Sequence, residues 1–135
     1  METKQVIVIR KDLKMRKGKM IAQGAHASMK VILDEMYRSS FGAGEAWTSF
    51  HMTILNESPL CQWLEGIFTK IVVGCDSEEE LLSLRSSAQI YKVRSALIQD
   101  AGKTEFNGVP TYTALAIGPD DIDKINKITG HLKLL

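Results

Sequence analysis

Hydrophobic positions along the chain follow two periods, and the changes from one to the other predict its elements. Residues 5–9 (QVIVI) are a short β-branched run closed by charge, the pattern of a strand buried on both faces. Residues 10–18 read as a basic loop with Gly18 near its end. From residue 19 to residue 38 the apolar positions take a helical spacing. Met20, Ile21, Ala25, Ala27, Met29, Val31, Ile32 and Met36 cover most of that helix's circumference. Lys19, Gln23, His26 and Lys30 remain within an arc of about 40–60°, at ~100° per residue. A helix buried on two flanks, with one narrow polar stripe left open, reads as the wall of a site.

Beyond that helix, SSFGAG at 39–44 is a break, and residues 45–57 have no clean period and read as irregular. Ser58 and Pro59 are an N-cap and a first helical position, opening a short helix that ends at Gly66. Residues 70–74 (KIVVG) predict a second buried strand. Ser77 and Glu80 form a capping box ahead of a helix with Leu81, Leu84 and Ala88 on one face. Residues 93–98 predict a third strand, followed by a turn at Asp100-Ala101-Gly102. Residues 111–117 (TYTALAI) predict a fourth strand, and Pro119 is expected to open a last helix over 119–128, closed near Gly130.

The order β-α-(α)-β-α-β-β-α predicts one α/β domain of three layers, α/β/α, around a mixed four-stranded β-sheet with right-handed β-α-β crossovers. Ligands of such sheets collect beyond the carboxyl ends of the strands. That edge is expected to bring the basic loop and the Asp100 turn to the N-terminus of the first helix, which itself favours anions.

Composition narrows the class. With 135 residues and 44% hydrophobic content, the chain suits a globular core, and no segment is apolar enough to span a bilayer. The N-terminus lacks the order of a signal peptide, since charge follows its short apolar run, so the expected location is cytoplasmic. Cys61 and Cys75 have no metal or redox spacing and read as reduced, partly buried thiols. The net charge of +1 hides an asymmetry: residues 4–19 carry +6 and the remainder −5. A solvated loop explains such a run, but here the run leads into the polar stripe, where it equally suits a polyanion.

The runs KMRKGKMIAQGAHAS, LIQDAGKT, TALAIGP and KITGHLKLL, in this order, closely resemble the Pth2-type peptidyl-tRNA hydrolases of archaea and eukaryotes. The resemblance spans nearly the whole chain. It implies a small α/β fold with a mixed four-stranded sheet, a homodimer, no cofactor, and cleavage of the ester between a stalled peptide and the 3′ end of tRNA. Two segments depart from the family pattern. Residues 39–62 look longer and more irregular than its usual connection, and EFNGVPTY stands at 105–112 where a shorter stretch with Ala-Pro-Gly is common.

Cleavage of that ester needs an activated water, a donor for the developing oxyanion and neutralised phosphates. Asp100 is the candidate base, against the plain alternative of a turn-forming Asp before Ala-Gly. Lys19 is placed to stabilise the oxyanion or hold the terminal phosphate. Thr104 and Thr113 match two threonines of the family's site, Thr104 more firmly because its spacing from Asp100 is kept. Lys19, Asp100 and Thr104 form the expected catalytic centre. Gln23 is expected at the ribose or the peptide amide, with a structural bond to the Asp100 loop as its alternative. His26, without an acid nearby in sequence, reads as structural or tRNA-contacting.

Lys11, Lys14, Arg16, Lys17 and Lys30 are the expected phosphate contacts, supplying salt-dependent affinity without base reading. No metal site assembles from the spacings, and neither cysteine has a triad partner. Two rival readings are a non-catalytic tRNA-binding or regulatory module on the same fold, and an interaction protein using 39–62, with Trp47, Phe50, Met52, Ile54 and Trp63 as an exposed patch, against the favoured alternative that these side chains pack on the sheet or on a dimer partner. Within catalysis the rival is deacylation of D-aminoacyl-tRNA.

Overall fold

A computed structural model describes residues 2–135. Its elements run β1 (Thr3–Arg10), α1 (Lys17–Leu33), β2 (Tyr37–Phe41), β3 (Trp47–His51), α2 (Pro59–Glu65), β4 (Lys70–Cys75), α3 (Glu78–Ile90), β5 (Ser95–Asp100), β6 (Thr111–Asp121) and α4 (Ile122–Thr129). The sheet order is β4-β1-β6-β5, with β1 parallel to β4 and β6 antiparallel to both neighbours. The mixed sheet is therefore the one expected. β1, β4 and β5 all point the same way, so their carboxyl ends share one edge.

Alternation along the strands separates two cores. Val6, Val8, Val73, Leu115 and Ile117 face α3 and α4, where Leu81, Leu84, Ala88, Ile125 and Ile128 meet them. Ile7, Ile9, Ala96, Ala114 and Ala116 face α1, against Ala27 and Val31. The alanines on this side let α1 lie close to the sheet. Gln5, fully buried, ties the layers: it donates to the Gly118 carbonyl at 3.2 Å and accepts from Ser28 at 2.5 Å.

Three expectations are corrected. The first helix stops at Leu33 instead of continuing to residue 38. Glu35 and Met36 bond back by three residues, to Ile32 and Leu33, in a tight turn. Glu35 then engages Arg94 at 2.9 Å. Met36 kept the helical period by coincidence. The helix is also buried on one face only, through Gln23, Gly24, Ala27 and Val31. Its second flank is open, with Ile21 73% and Met29 54% exposed.

Secondly, the break at 39–44 and the stretch 45–57 expected to be irregular hold regular structure. Tyr37–Phe41 and Trp47–His51 pair as an antiparallel hairpin. Gly42 and Gly44 supply the positive φ of its connection, +85° and +65°. Of the side chains expected to pack on the sheet or a partner, Trp47 and Phe50 do not pack on the sheet and are exposed. Trp63 is buried and donates to the Thr69 carbonyl at 2.8 Å, so it serves the core.

Thirdly, Pro119 does not open a helix. β6 continues through it to Asp121, pairing with Thr3 and Lys4 beyond a register shift, and Asp121 caps α4 by accepting from the Asp123 N–H at 2.8 Å. The caps at Ser58 and Ser77 are present, each side chain accepting from the N–H three residues on. Glu80 reaches back to the Asp76 N–H, one residue before the reciprocal position of a standard capping box.

Candidate active site

The edge where β1 and β5 end is where α1 begins, and here the polar stripe meets the Asp100 turn. Asp100 is the last residue of β5. Lys19, in the first turn of α1, donates to Asp100 Oδ1 and to Thr104 Oγ1, each at 2.8 Å. Gln23, one turn further, donates to the same Oδ1 at 3.3 Å. The Gly102 N–H donates to Asp100 Oδ2 at 2.9 Å. A carboxylate offers about four lone-pair sites, so three bonds leave Asp100 one free acceptor position. These donors, the Lys19 ammonium foremost, hold the Asp100 carboxyl below the usual carboxylate range against the opposing effect of burial.

Behind this contact the polar groups are dry and paired. Gln23 and Thr113 are 1% and 0% exposed, and the Thr113 hydroxyl donates to Gln23 Oε1 in a very short bond. That bond fixes which end of the Gln23 carboxamide faces Asp100. Thr113 reaches α1 because β6 is irregular there. Ile98 pairs with Ala114 but Gln99 pairs with Tyr112, so Thr113 is the extra residue of a β-bulge. In strict alternation with Ala114 and Ala116 it would point toward α3.

The loop 101–110 carries two features that sequence alone did not single out. Gly102 adopts φ +82°, where any Cβ would collide with the Val109 backbone, so its N–H is delivered to Asp100 by a residue that must be glycine. The Asp-Ala-Gly turn was the signal for it. The Phe106 ring packs against the α1-facing core and lies 5.7 Å from Lys19 Nζ, while Glu105 sits 3.8 Å from Arg16. No pattern in EFNGVPTY announced this anchoring.

The other expected site residues are spread more widely. His26 is exposed beside Gln99, lining a groove between α1 and β5. Lys30 lies about 16 Å along the helix axis from Lys19 and pairs with Asp34 at 3.0 Å. Lys11 packs on Gly74 and lies 3.4 Å from Asp76. Lys14, Arg16 and Lys17 are exposed just before and at the start of α1. That helix start has no acidic residue in its first turn and no side-chain cap, so its N–H groups remain available to an anion. Arg10 leaves the basic surface altogether. It is buried, bonded to Asp12 at 2.6 Å and to the Tyr112 carbonyl at 2.9 Å.

A thiol mechanism finds no support. Both cysteines are buried, and burial pushes the Cys75 thiol up to about 11, leaving it protonated at neutral pH.

A family model described as peptidyl-tRNA hydrolase PTH2 matches residues 3–135. A peptidyl-tRNA hydrolase of Methanocaldococcus jannaschii is 40% identical, over 98% of this chain and 99% of its own. That of Sulfurisphaera tokodaii is 41% identical over the whole of both chains. The enzyme of Methanothermobacter thermautotrophicus is 41% identical over 98% of this chain and 99% of its own. Among solved structures, a protein of unknown function from Agrobacterium tumefaciens C58 superposes with a TM-score of 0.56 at 12% identity, covering 100% of this chain and 98% of that one, a likeness of fold alone.

Proposed function

The chain belongs to the PTH2 family of peptidyl-tRNA hydrolases, and from that membership and the geometry at Asp100 we propose that it hydrolyses the ester joining a peptide to the 3′ end of tRNA, with Lys19, Asp100 and Thr104 as its catalytic residues. The observation that carries the reading is the three-way contact of Lys19 Nζ with Asp100 and Thr104. The free acceptor position of Asp100 takes a hydrogen bond from the attacking water and aims its lone pair at the ester carbon. The lowered basicity of the carboxylate makes it an orienting group that takes the proton only as the new C–O bond forms.

Lys19 has a third N–H, which faces the developing oxyanion. Thr104 accepts from Lys19, so its own proton is free to be donated to the departing 3′ oxygen, and the proton taken from water restores it. Gln23 and Thr113 act by holding Asp100 in place. The water oxygen ends in the peptide carboxylate, one of its protons in the 3′ hydroxyl, and the other passes to solvent as the new acid ionises, with no change of oxidation state.

Lys14, Arg16, Lys17 and the open N-terminus of α1 hold the phosphates of the acceptor end, with Lys11 and Lys30 as outlying charges and His26 along the same helix. Such contacts serve any tRNA. The protein works in the cytoplasm, where its substrate arises during translation. Among the described residues no helix is long and apolar enough to cross a membrane.

The open flank of α1 borders an apolar groove of about 730 Å³ with Trp63, Phe68 and Val72. α1 and α2 leave this strip of the face uncovered, and a second copy of the chain fits it, giving the homodimer.

The test is release of N-acetyl-amino acid from N-acetyl-aminoacyl-tRNA, with unblocked D-aminoacyl-tRNA as the contrasting substrate. Turnover of the blocked ester by the wild type and its loss in both Lys19→Ala and Asp100→Ala are expected. Wild-type rates in both variants would remove this site from the reaction. Tight, salt-sensitive tRNA binding without turnover in the wild type would make the protein a binding module. For the dimer, Ile21→Glu is expected to halve the mass seen in sedimentation.

A further inference from the structure

The sheet has two edges, and only one of them is closed. On β4, the C-terminal tail adds a bridge between Val73 and Leu134, with the Leu135 N–H on the Val72 carbonyl and the Gly74 N–H on the Lys133 carbonyl. Among the described residues β5, at the other edge, pairs with β6 alone. An unpaired edge invites another strand, and proteins normally blunt it.

The phase of the β5 ladder tells which groups face outward. The Gly118 N–H donates to the Arg94 carbonyl at 2.7 Å, and residues 94 and 118 fall in line with the pairs that follow. Antiparallel partners alternate between bonded and non-bonded pairs, so Ala96 and Ile98 bond to β6. Ser95, Leu97 and Gln99 turn their N–H and C=O groups away from it. The β-bulge lies on β6, at Thr113, and leaves this alternation along β5 intact. Among the described residues no backbone group outside the sheet bonds to Ser95, Leu97 or Gln99.

This free edge is not flat surface. It forms one wall of a groove of about 700 Å³, with His26, Lys30 and Leu33 of α1 opposite Leu97 and Gln99. The Arg94–Glu35 ion pair lies at the start of β5, and the Lys19–Asp100 contact at its end.

We propose that the free edge of β5 receives the peptide half of peptidyl-tRNA as an added parallel strand. The inference rests on the reading of the Asp100 site as a peptidyl-tRNA esterase. The direction follows from that site. The ester is on the peptide's last residue and must lie at Asp100, where β5 ends, so a peptide extending back toward Ser95 runs parallel to β5. The tRNA then leaves past Asp100 toward Lys14, Arg16 and Lys17, at the opposite end from the groove.

In a parallel ladder, one peptide residue donates to the Leu97 carbonyl and accepts from the Gln99 N–H, and the residue two earlier does the same with Ser95 and Leu97. Recognition through the main chain admits any peptide sequence, since side chains alternate between groove and solvent.

The test uses the wild-type protein with N-acetylated peptidyl-tRNAs of one to five residues on one tRNA. kcat/KM is expected to rise about two- to tenfold when the third residue from the ester is added, the gain of main-chain hydrogen bonds. N-methylation of amides one at a time is expected to cancel the gain at alternate residues only. Cleavage insensitive to length and methylation, or equally impaired by methylation at every position, overturns the strand assignment and leaves the esterase standing. Failure to cleave any of these esters overturns the esterase reading and this one with it. A rate per subunit that falls with protein concentration, relieved by longer peptides, would give the edge to a second copy instead.

Discussion

The two ends of α1 carry polar and aromatic side chains in opposite physical states. At its N-terminal end, Lys19, Gln23, Asp100, Thr104 and Thr113 form a connected network across three elements and a loop, and its inner members are out of water. Beyond its C-terminal end, the β2–β3 hairpin carries Tyr37, Phe41, Trp47 and Phe50 in solvent, and Arg38 bonds to Ser40 and Thr48 of the hairpin itself. An isolated two-stranded hairpin is marginal in water, whereas a buried network is costly to disturb. The contrast separates the network proposed for the chemistry from a hairpin held by few contacts with the rest of the fold.

The largest effect should come from the network's reactive members. Asp100→Asn keeps the shape but loses the charge, and is expected to lower kcat about 10²–10⁴-fold. Lys19→Met is expected to cost about 10²–10³-fold. Single-turnover cleavage of N-acetyl-aminoacyl-tRNA measures both.

Thr113→Val tests whether the buried layer acts through Asp100. It leaves Gln23 Oε1 without its donor, so stability should fall by about 1–3 kcal/mol in urea unfolding. kcat should drop with KM nearly unchanged, and Thr113→Ser should recover most of it. A change confined to KM would place Thr113 at the substrate.

The acid side of the rate profile sharpens the same point. Asp100 titrates lower folded than unfolded, so its stabilising contribution is complete above the unfolded value and is lost as pH falls through the folded one. Its limb in kcat/KM should therefore lie below the usual carboxylate range. A limb well above that range would point to a base other than Asp100.

The smallest effect should follow replacement of residues 37–51 by a short glycine-serine loop. kcat should stay within about twofold, and stability within about 1 kcal/mol, since two isolated strands contribute little. A loss as large as that of Thr113→Val would join the hairpin to the site and end the contrast.

Much of the site was legible because its parts obey local rules. The helical spacing of Lys19 and Gln23, the Asp100 turn and the strand order bring them to one edge without any knowledge of packing. The hairpin was not legible because Val31, Ile32 and Met36 prolong a helical period across a turn that Glu35 and Arg94 stabilise from outside. Pro119 misled in the same way, since a helix-opening residue also fits the irregular end of a strand.

The sequence by itself determined the order of the four sheet strands and the helices between them, the caps at Ser58 and Ser77, and the polar stripe of α1, because each depends on neighbours within a few residues. Tertiary structure alone decided three things. Arg10 turned inward to Asp12 and the Tyr112 carbonyl, away from the basic surface. The bulge in β6 rotated Thr113 from the α3 side of the sheet to Gln23. The tail closed the β4 edge while β5 stayed open beside Asp100. Each depends on groups far apart in the chain whose burial must be satisfied together, and no local period records that constraint.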